Sequence, residues 1–168
     1  GLVPGVEMGP AVSQAQLETD LEYIQIAQSE GARLACGGRR LTDGEFAHGH
    51  FIEPTVLRDV TPNMRIAREE IFGPVLAAIT VKDAEEAVRI GNGVEYGLAA
   101  AVWTRDIGKA HRIAKALRAG MVYVNCYDAD DITVPFGGFK QSGTGRDKSL
   151  HAFDKYTELK TTWIDLSQ

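Results

Sequence analysis

Residues 75–125, VLAAITVKDAEEAVRIGNGVEYGLAAAVWTRDIGKAHRIAKALRAGMVYVN, alternate between apolar runs and helix-forming segments. Asp83 and Asp106 are placed to cap the starts of two helices, and Gly120 is placed to end the second one. Three continuous apolar runs have the character of strands covered on both faces, namely 75–81, 99–104 and 121–125. Strands joined by crossover helices lie parallel in one sheet. The stretch therefore predicts a β-α-β-α-β unit and an α/β fold with a parallel sheet.

The chain before this stretch is predicted to begin with a helix. Ser13 and Gln16 have the spacing of a capping box, and Gly31 is a suitable stop. The apolar residues between them recur at helical spacing: Leu17, Leu21 and Ile24. Two extended pieces, 34–36 and 51–57, are expected after the helix, with a polar surface loop between them.

Composition and charge exclude several classes of function. The chain of 168 residues has 44% hydrophobic and 24% charged residues, which is ordinary for a soluble globular domain. A net charge of −5 provides no basic surface for nucleic acid, so no nucleic-acid partner is expected. No apolar run approaches the roughly 20 residues of a membrane-spanning helix. The start, GLVPGVEMGP, lacks the basic and apolar regions of a signal peptide.

The cysteines and histidines are too scattered to predict a metal site. Cys36 and Cys126 have no CxxC spacing, and only His48 and His50 are neighbours among the histidines. A zinc site needs three or four converging ligands, so no metal ligand is predicted. Two thiols without a secretion signal fit a reducing cytosol, and a cytoplasmic location is expected.

An acidic segment follows the third predicted strand. Residues 126–136, CYDADDITVPF, carry carboxylates at Asp128, Asp130 and Asp131. Ligands of open parallel sheets bind beyond the carboxyl ends of the strands, where this segment begins. Two interpretations stay open on the local sequence alone: a solvated acidic turn and part of a binding site.

The glycine-rich segment 135–147, PFGGFKQSGTGRD, is not predicted to bind nucleotide phosphates. Gly138 and Gly143 have the spacing of a P-loop, but Thr144 stands where the phosphate-binding lysine is needed. The glycines are instead expected to allow tight turns and close backbone packing.

Residues 68–75, REEIFGPV, look locally like a turn that introduces a strand, yet they also open an ordered series of motifs. With this series the chain resembles the aldehyde dehydrogenase superfamily from about Met8 to its end. The matching motifs are Glu69-Glu70-Ile71-Phe72-Gly73-Pro74-Val75, Tyr96-Gly97-Leu98-Ala99, Ala119-Gly120 with Val124-Asn125, Pro135-Phe136-Gly137-Gly138, Lys140, Ser142-Gly143 and Gly145-Arg146. Residues 133–166 are most similar to the γ-glutamyl-γ-aminobutyraldehyde dehydrogenases of bacterial putrescine breakdown, and RDKSLHA at 146–152 is the distinctive part.

The resemblance implies a fold and an assembly. Residues 1–156 would form the C-terminal part of the catalytic domain, a Rossmann-like, three-layer portion with a parallel sheet. Residues 157–168 would be an oligomerisation strand that pairs with a neighbouring subunit, which implies a homo-oligomer. The alternative for this tail is a strand packed on the chain's own sheet.

The resemblance also implies part of a cofactor site, for NAD or NADP. Glu70 corresponds to the family's glutamate that binds the nicotinamide ribose, and Phe72 to the aromatic beside the nicotinamide ring. A carboxylate can accept hydrogen bonds from both hydroxyls of a vicinal diol. Glu69 is expected to stabilise the turn. The residues that distinguish NAD from NADP lie outside the matching region.

On the aldehyde side, the resemblance makes residues 126–136 the substrate-access loop. Phe136 would line the aldehyde tunnel, with Asp128 and Asp130 near it. An acidic group there would attract a cationic substrate end, which predicts a preference for aminoaldehydes such as γ-glutamyl-γ-aminobutyraldehyde.

No residue of this chain is predicted to be catalytic. The family's nucleophilic cysteine, general base and oxyanion-hole asparagine all precede the matching region, and neither Cys36 nor Cys126 corresponds to the nucleophile. The chain alone is therefore expected to be inactive. The alternative is a non-catalytic binding or oligomerisation module derived from the same fold.

Overall fold

The computed structural model describes residues 4–167, and the chain divides into two compact units, Gly1–Lys82 and Asp83–Gln168. Within the described residues, the helices are all too short or too polar to cross a bilayer.

The first unit begins with helix α1, Gln14–Ser29, as predicted. The Ser13 hydroxyl accepts a hydrogen bond of 3.2 Å from the Gln16 backbone N–H, which caps the helix. Gly31 follows the helix at φ +107°, a conformation that favours glycine. One stripe of the helix is buried, formed by Leu17, Asp20, Ile24 and Ala27. The predicted helix is thus confirmed, and a carboxylate occupies one position of its buried stripe.

Helix α1 packs on a three-stranded sheet. The strands are β1 (Arg33–Cys36), β2 (Thr55–Arg58) and β3 (Val75–Ala77), in that order across the sheet. Strands β1 and β2 are antiparallel, whereas β2 and β3 are parallel. Between β1 and β2 lies the predicted loop, with a short 3-10 helix at Gly44–Phe46. The core of the unit consists of Leu17, Ile24, Ala27, Ala32, Ile52, Leu57, Val60, Met64, Ile66 and Ile71.

Strand β3 differs from the predicted strand 75–81 in length, partner and burial. It ends at Ala77, and its hydrogen-bonded partner is β2 rather than the next strand along the chain. Backbone bonds from Thr55 N to the Pro74 carbonyl (2.9 Å) and from Ala78 N to the Leu57 carbonyl (2.8 Å) extend this pairing. Its outer face is open, since Leu76 is 61% exposed. The prediction of a single three-stranded β-α-β-α-β sheet was therefore wrong: β3 belongs to the sheet of β1 and β2, and β5 and β6 pair in a separate sheet.

Both helices predicted for the second unit are present. The predicted parallel pair of strands, which the second helix connects, is also present in this unit. Its elements are α2 (Ala84–Gly91), β4 (Tyr96–Gly97), β5 (Ala99–Val102), α3 (Ile107–Ala116), β6 (Met121–Val124), β7 (Phe139–Lys140) and a 3-10 helix at Leu150–Lys155. Asp83 caps α2 by accepting from Glu86 N at 2.8 Å, and Asp106 caps α3 by accepting from Lys109 N at 2.9 Å. Strands β5 and β6 are parallel over their full lengths.

Gly120 does not end helix α3 as predicted. The helix ends at Ala116, and Leu117 already has an extended conformation. A Cβ atom on Gly120 would lie 1.7 Å from the Gly137 carbonyl oxygen, so this glycine allows two backbone segments to approach closely. The prediction that Gly120 ends the helix was therefore wrong, and its role is to allow this close approach.

The glycine-rich segment 135–147 contains the short strand β7 and the tight turns that its glycines predict. Gly143 and Gly145 have φ values of +113° and +79°. The segment is held by side chains to the antiparallel β4–β7 pair: the Ser142 hydroxyl accepts from Gly97 N at 3.0 Å. The Lys140 ammonium donates to the Val94 carbonyl at 2.9 Å. These residues of the family motifs therefore have a structural role.

Residues 157–167 contain neither helix nor strand, and they are exposed. The predicted tail strand is therefore not formed by the described residues of the single chain. The alternative of a strand packed on the chain's own sheet was wrong. Pairing of this tail with a neighbouring subunit remains a prediction.

Candidate functional site

A turn at residues 69–73 carries both predicted cofactor residues and joins the 3-10 helix Arg65–Ala67 to β3. We call it the 69–73 turn. Ile71 anchors it, because that side chain is buried in the core of the first unit. The chain leaves the turn with a bond of 2.8 Å from Val75 N to the Gly73 carbonyl.

The Glu69 carboxylate is exposed, but hydrogen bonds to two other residues of the first unit occupy it. Arg65 donates to it through Nε (2.9 Å to Oε1) and Nη2 (2.8 Å to Oε2), and the Tyr23 hydroxyl donates at 2.6 Å. These bonds from Arg65 and then Tyr23 lower the pKa of Glu69 from 4.5 to about 2. The same carboxylate raises the pKa of Tyr23. These contacts agree with the expectation that Glu69 stabilises the turn, which stays a prediction.

Glu70 and Phe72 on the same turn point away from the core. Glu70 is exposed, and within residues 4–167 no hydrogen bond or ion pair occupies its carboxylate. Phe72 is 79% exposed and has φ +62°, a left-handed conformation that is rare for a bulky side chain. The turn therefore presents a free carboxylate and an aromatic ring two residues apart.

A cavity of about 380 Å³ lies beside the turn within the first unit. It is lined by Phe72 and Gly73, by Gln16 and Asp20 of α1, and by residues 8–12. Glu70 is not among its lining residues.

The predicted substrate residues lie in the second unit, on the loop that follows β6. Asn125 follows the strand at φ +56° and connects it to the segment after β5. Its side chain accepts a hydrogen bond from Thr104 N (2.8 Å) and donates one to the Thr104 carbonyl (2.9 Å). The loop thus begins at the carboxyl end of a parallel strand, as predicted. Asp128 is exposed and has φ +55°, a conformation that aspartate tolerates better than most residues.

Asp130 and Phe136 are brought together by a lysine that sequence analysis missed. The Lys148 ammonium forms an ion pair with Asp130 and lies 5.3 Å from the centre of the Phe136 ring. Phe136 also pairs through its backbone with Asp147, at 2.8 Å from N to O. Lys148 lies in the distinctive 146–152 segment, but nothing in the local sequence indicates that it pairs with Asp130 eighteen residues earlier.

The third carboxylate of the loop, that of Asp131, is exposed and is occupied by hydrogen bonds from a nearby residue. Asp131 accepts from the backbone N–H (2.7 Å) and hydroxyl (2.6 Å) of Thr133, and these bonds lower its pKa. Asp131 therefore behaves as a turn residue, whereas Asp128 carries the free carboxylate of the loop. Burial, and then the charges of Asp128 and Asp130, raise the pKa of the nearby Tyr123.

Other features of the second unit do not coincide with these residues. A groove of about 630 Å³ lies between α2 and α3, and its lining does not include Asp128, Asp130 or Phe136. Cys126 at the start of the loop carries a free, exposed thiol, as does Cys36 in the first unit. The part of the chain that the structure describes holds no group of three or more residues suited to a metal ion.

The sequence and the fold are similar to those of known dehydrogenases along almost the whole chain. The aldehyde dehydrogenase KauB from Pseudomonas aeruginosa has 61% identity and a TM-score of 0.88, over 95% of this chain and 32% of that chain. The P. syringae AldA indole-3-acetaldehyde dehydrogenase, solved in complex with NAD+ and IAA, has 57% identity and a TM-score of 0.88, over 95% of this chain and 32% of that one. The NADP/NAD-dependent aldehyde dehydrogenase PuuC of Escherichia coli is 48% identical over 98% of this chain and 32% of its own length.

The fold is an α/β, Rossmann-like portion of a dehydrogenase domain. Residues 1–162 match the aldehyde dehydrogenase family, and the chain belongs to that family. It spans about a third of the length of the curated relatives that it matches.

Proposed function

We propose that this chain is the part of an NAD(P)-dependent aldehyde dehydrogenase that binds the nicotinamide ribose and frames the approach of the aldehyde. One observation carries the proposal. Of two adjacent glutamates on the 69–73 turn, Glu69 is held by Arg65 and Tyr23, whereas Glu70 is exposed and unoccupied. The exposed and unoccupied carboxylate of Glu70 can therefore bind a ligand, and a ribose offers two adjacent hydroxyl donors.

The residues present fit the cofactor. The Glu70 carboxylate has free acceptor sites for a vicinal diol, and hydrogen bonds to a charged group contribute roughly 1.5–3 kcal/mol. Bound NAD(P)+ would supply the hydride acceptor for oxidation of an aldehyde to the carboxylate. Phe72 would limit where the nicotinamide ring can lie. Its exposure and its positive φ are both unfavourable, and such strain is concentrated at functional sites.

The substrate we propose is an aminoaldehyde, of the type oxidised in putrescine breakdown. The Asp128 carboxylate is free, and Asp130 lies beside Phe136, which we assign to the aldehyde tunnel. Lys148 partly offsets the charge of Asp130, and the free Asp128 carboxylate adds to the attraction of the loop for a distant ammonium group. Asp128, Asp130 and Phe136 thus act together as substrate contacts, and none is proposed to be catalytic.

The tail provides the proposed contact between subunits. Its large apolar side chains are exposed in the single chain, namely Leu159, Trp163, Ile164 and Leu166. Burial of such side chains against a second copy, with backbone pairing, would stabilise a homo-oligomer. Light scattering of the chain with and without residues 157–168 tests this assignment: a mass that is unchanged by truncation contradicts it.

A direct assay separates the proposal from the non-catalytic module. The 168-residue chain, with NAD+ and propanal, should show no turnover, because we propose that the nucleophile lies in the longer polypeptide. That full-length polypeptide, assayed identically, should reduce NAD+. Turnover by the chain alone would overturn the assignment of its residues, and no turnover by either protein would favour the module.

Free thiols at both cysteines fit a cytoplasmic enzyme.

A further inference from the structure

Gln16 connects helix α1 to the 69–73 turn. Its side-chain Nε2 donates to the Asp20 carboxylate at 2.8 Å and to the Ile71 carbonyl at 2.8 Å. An amide NH2 group has two hydrogens, so both of its donors are used. In a capping box this side chain would return to the Ser13 backbone N–H. Here it instead crosses 55 residues of sequence to the turn.

Asp20 is the second member of this connection. It lies in the buried stripe of α1 and is 0% exposed. Its Oδ1 accepts from Gln16, whereas its Oδ2 has no hydrogen-bond partner among residues 4–167. Burial raises the pKa of this carboxyl group. A buried carboxyl group with an unsatisfied oxygen is unfavourable, so its position requires an explanation.

The carboxyl group also lies directly against the turn. A Cβ atom on Gly73 would be 2.2 Å from Asp20 Oδ1, so the glycine backbone and the carboxyl group occupy adjoining space. Gln16 therefore holds the residue before Phe72, and Asp20 packs on the residue after it. Phe72 lies between these two contacts in its left-handed conformation, and Glu70 is bonded directly to Ile71.

We propose that Gln16 and Asp20 are positioning residues, which hold the 69–73 turn so that Glu70 and Phe72 face the cofactor. That these two residues restrict the conformation of the turn follows from the contacts above. That this restriction assists cofactor binding rests on the proposed function, and the two statements have separate tests.

The chain contains a matched control for Gln16. Gln14 lies one half-turn earlier and donates the same kind of bond to an acid four residues on, at 2.7 Å from Nε2 to Glu18 Oε1. That bond is exposed and does not involve the turn. Gln16→Met and Gln14→Met each keep the side-chain length and remove the donor.

The first measurement is the NMR order parameter of the Phe72 amide in the 168-residue chain. The order parameter should be about 0.85 in the native chain and in Gln14→Met, and it should fall below about 0.6 in Gln16→Met. Asp20→Asn keeps an acceptor for Gln16, so its order parameter should stay close to the native value. An unchanged value in Gln16→Met would overturn the inference, whatever the kinetics show.

The second measurement is steady-state kinetics of the full-length polypeptide. Gln16→Met should raise KM for NAD+ about tenfold, the effect of losing about one net hydrogen bond, and leave KM for the aldehyde unchanged. Gln14→Met should change neither value, whereas Asp20→Ala, which removes the acceptor for Gln16 and the packing on Gly73, should raise KM for NAD+ in the same direction as Gln16→Met. A mobile Phe72 with an unchanged KM for NAD+ would support the positioning of the turn and contradict the proposed role of Glu70. Equal rises for both substrates would overturn the link to the cofactor.

Discussion

Arg65 and Glu69 form a bidentate ion pair at the surface, with Nη2 2.8 Å from Oε2 and Nε 2.9 Å from Oε1, and thereby occupy the carboxylate of one glutamate of an adjacent pair. The neighbouring Glu70 is left exposed with its carboxylate free. Two chemically identical residues in succession thus differ in their hydrogen bonds, so each can serve as the control for the other.

The first prediction concerns the pH dependence of stability. The pKa of Glu69 is lowered from 4.5 to about 2 in the folded chain. Its stabilising effect is therefore fully present above pH 4.5 and is lost as the pH falls toward about 2. Urea unfolding of the chain should show a steeper loss of stability over this range in the native protein than in Glu69→Gln.

Glu70→Gln is the control for that experiment and should follow the native curve. Asp20, whose pKa is raised by burial, has the opposite effect: its contribution is lost as the pH rises above 3.8. That contribution is common to all three proteins and cancels in the comparison. Parallel curves for the native chain and Glu69→Gln would refute the assignment.

The second prediction concerns the backbone of Phe72. A left-handed conformation is unfavourable for this residue, and glycine adopts it freely. Phe72→Gly should therefore stabilise the chain by about 1 kcal/mol, whereas Phe72→Ala, which keeps a Cβ atom, should have little effect. Both substitutions should raise KM for NAD+ in the full-length polypeptide. If Phe72→Gly is stabilising and kinetically silent, the aromatic ring has no role at the cofactor.

The third prediction concerns Gly73 and Asp20. Gly73→Ala places a Cβ atom 2.2 Å from the Asp20 carboxylate, so it should destabilise the chain by roughly 1–3 kcal/mol. In the Asp20→Ala background this penalty should fall below about 1 kcal/mol, because the two residues are in contact. Gly9→Ala, in open space, is the control and should be nearly neutral. Additive effects of Gly73→Ala and Asp20→Ala would show that the carboxyl group does not restrict the turn.

The fourth prediction concerns the preference for cationic aldehydes. Asp130→Phe should raise KM for aminoaldehydes much more than KM for hexanal. Lys148→Met should act in the opposite direction and lower KM for aminoaldehydes up to about fivefold, because it leaves the Asp130 carboxylate unpaired. Asp131→Asn is the control, since Thr133 already occupies that carboxylate. Equal shifts for both aldehydes in the Asp130 and Lys148 variants would rule out charge as the cause.

Local signals in the sequence were sufficient for the helices and for one pair of strands. Ser13, Asp83 and Asp106 cap the helices that their spacing predicts. The parallel pairing of β5 and β6 follows from the crossover helix between them. Such features depend on residues within a few positions of one another, which a single sequence displays directly.

Features that depend on distant residues were not predicted. Strand β3 pairs with β2, which lies about twenty residues earlier, and the apolar run of 75–81 contains no information about that choice. Asp20 was missed because a carboxylate in a helix is ordinarily exposed, whereas here it lies in the buried stripe. Lys148 was missed because its partner Asp130 is close in space and distant in sequence.

The central claim is that Glu70 binds the ribose of the cofactor, and KM for NAD+ in the full-length polypeptide tests it most directly. Loss of hydrogen bonds to a charged group should raise this KM roughly tenfold to a hundredfold in Glu70→Gln. Glu69→Gln, which makes the same chemical change one residue earlier, should have a distinctly smaller effect. A native KM for NAD+ in Glu70→Gln would contradict the claim, as would a larger rise in Glu69→Gln.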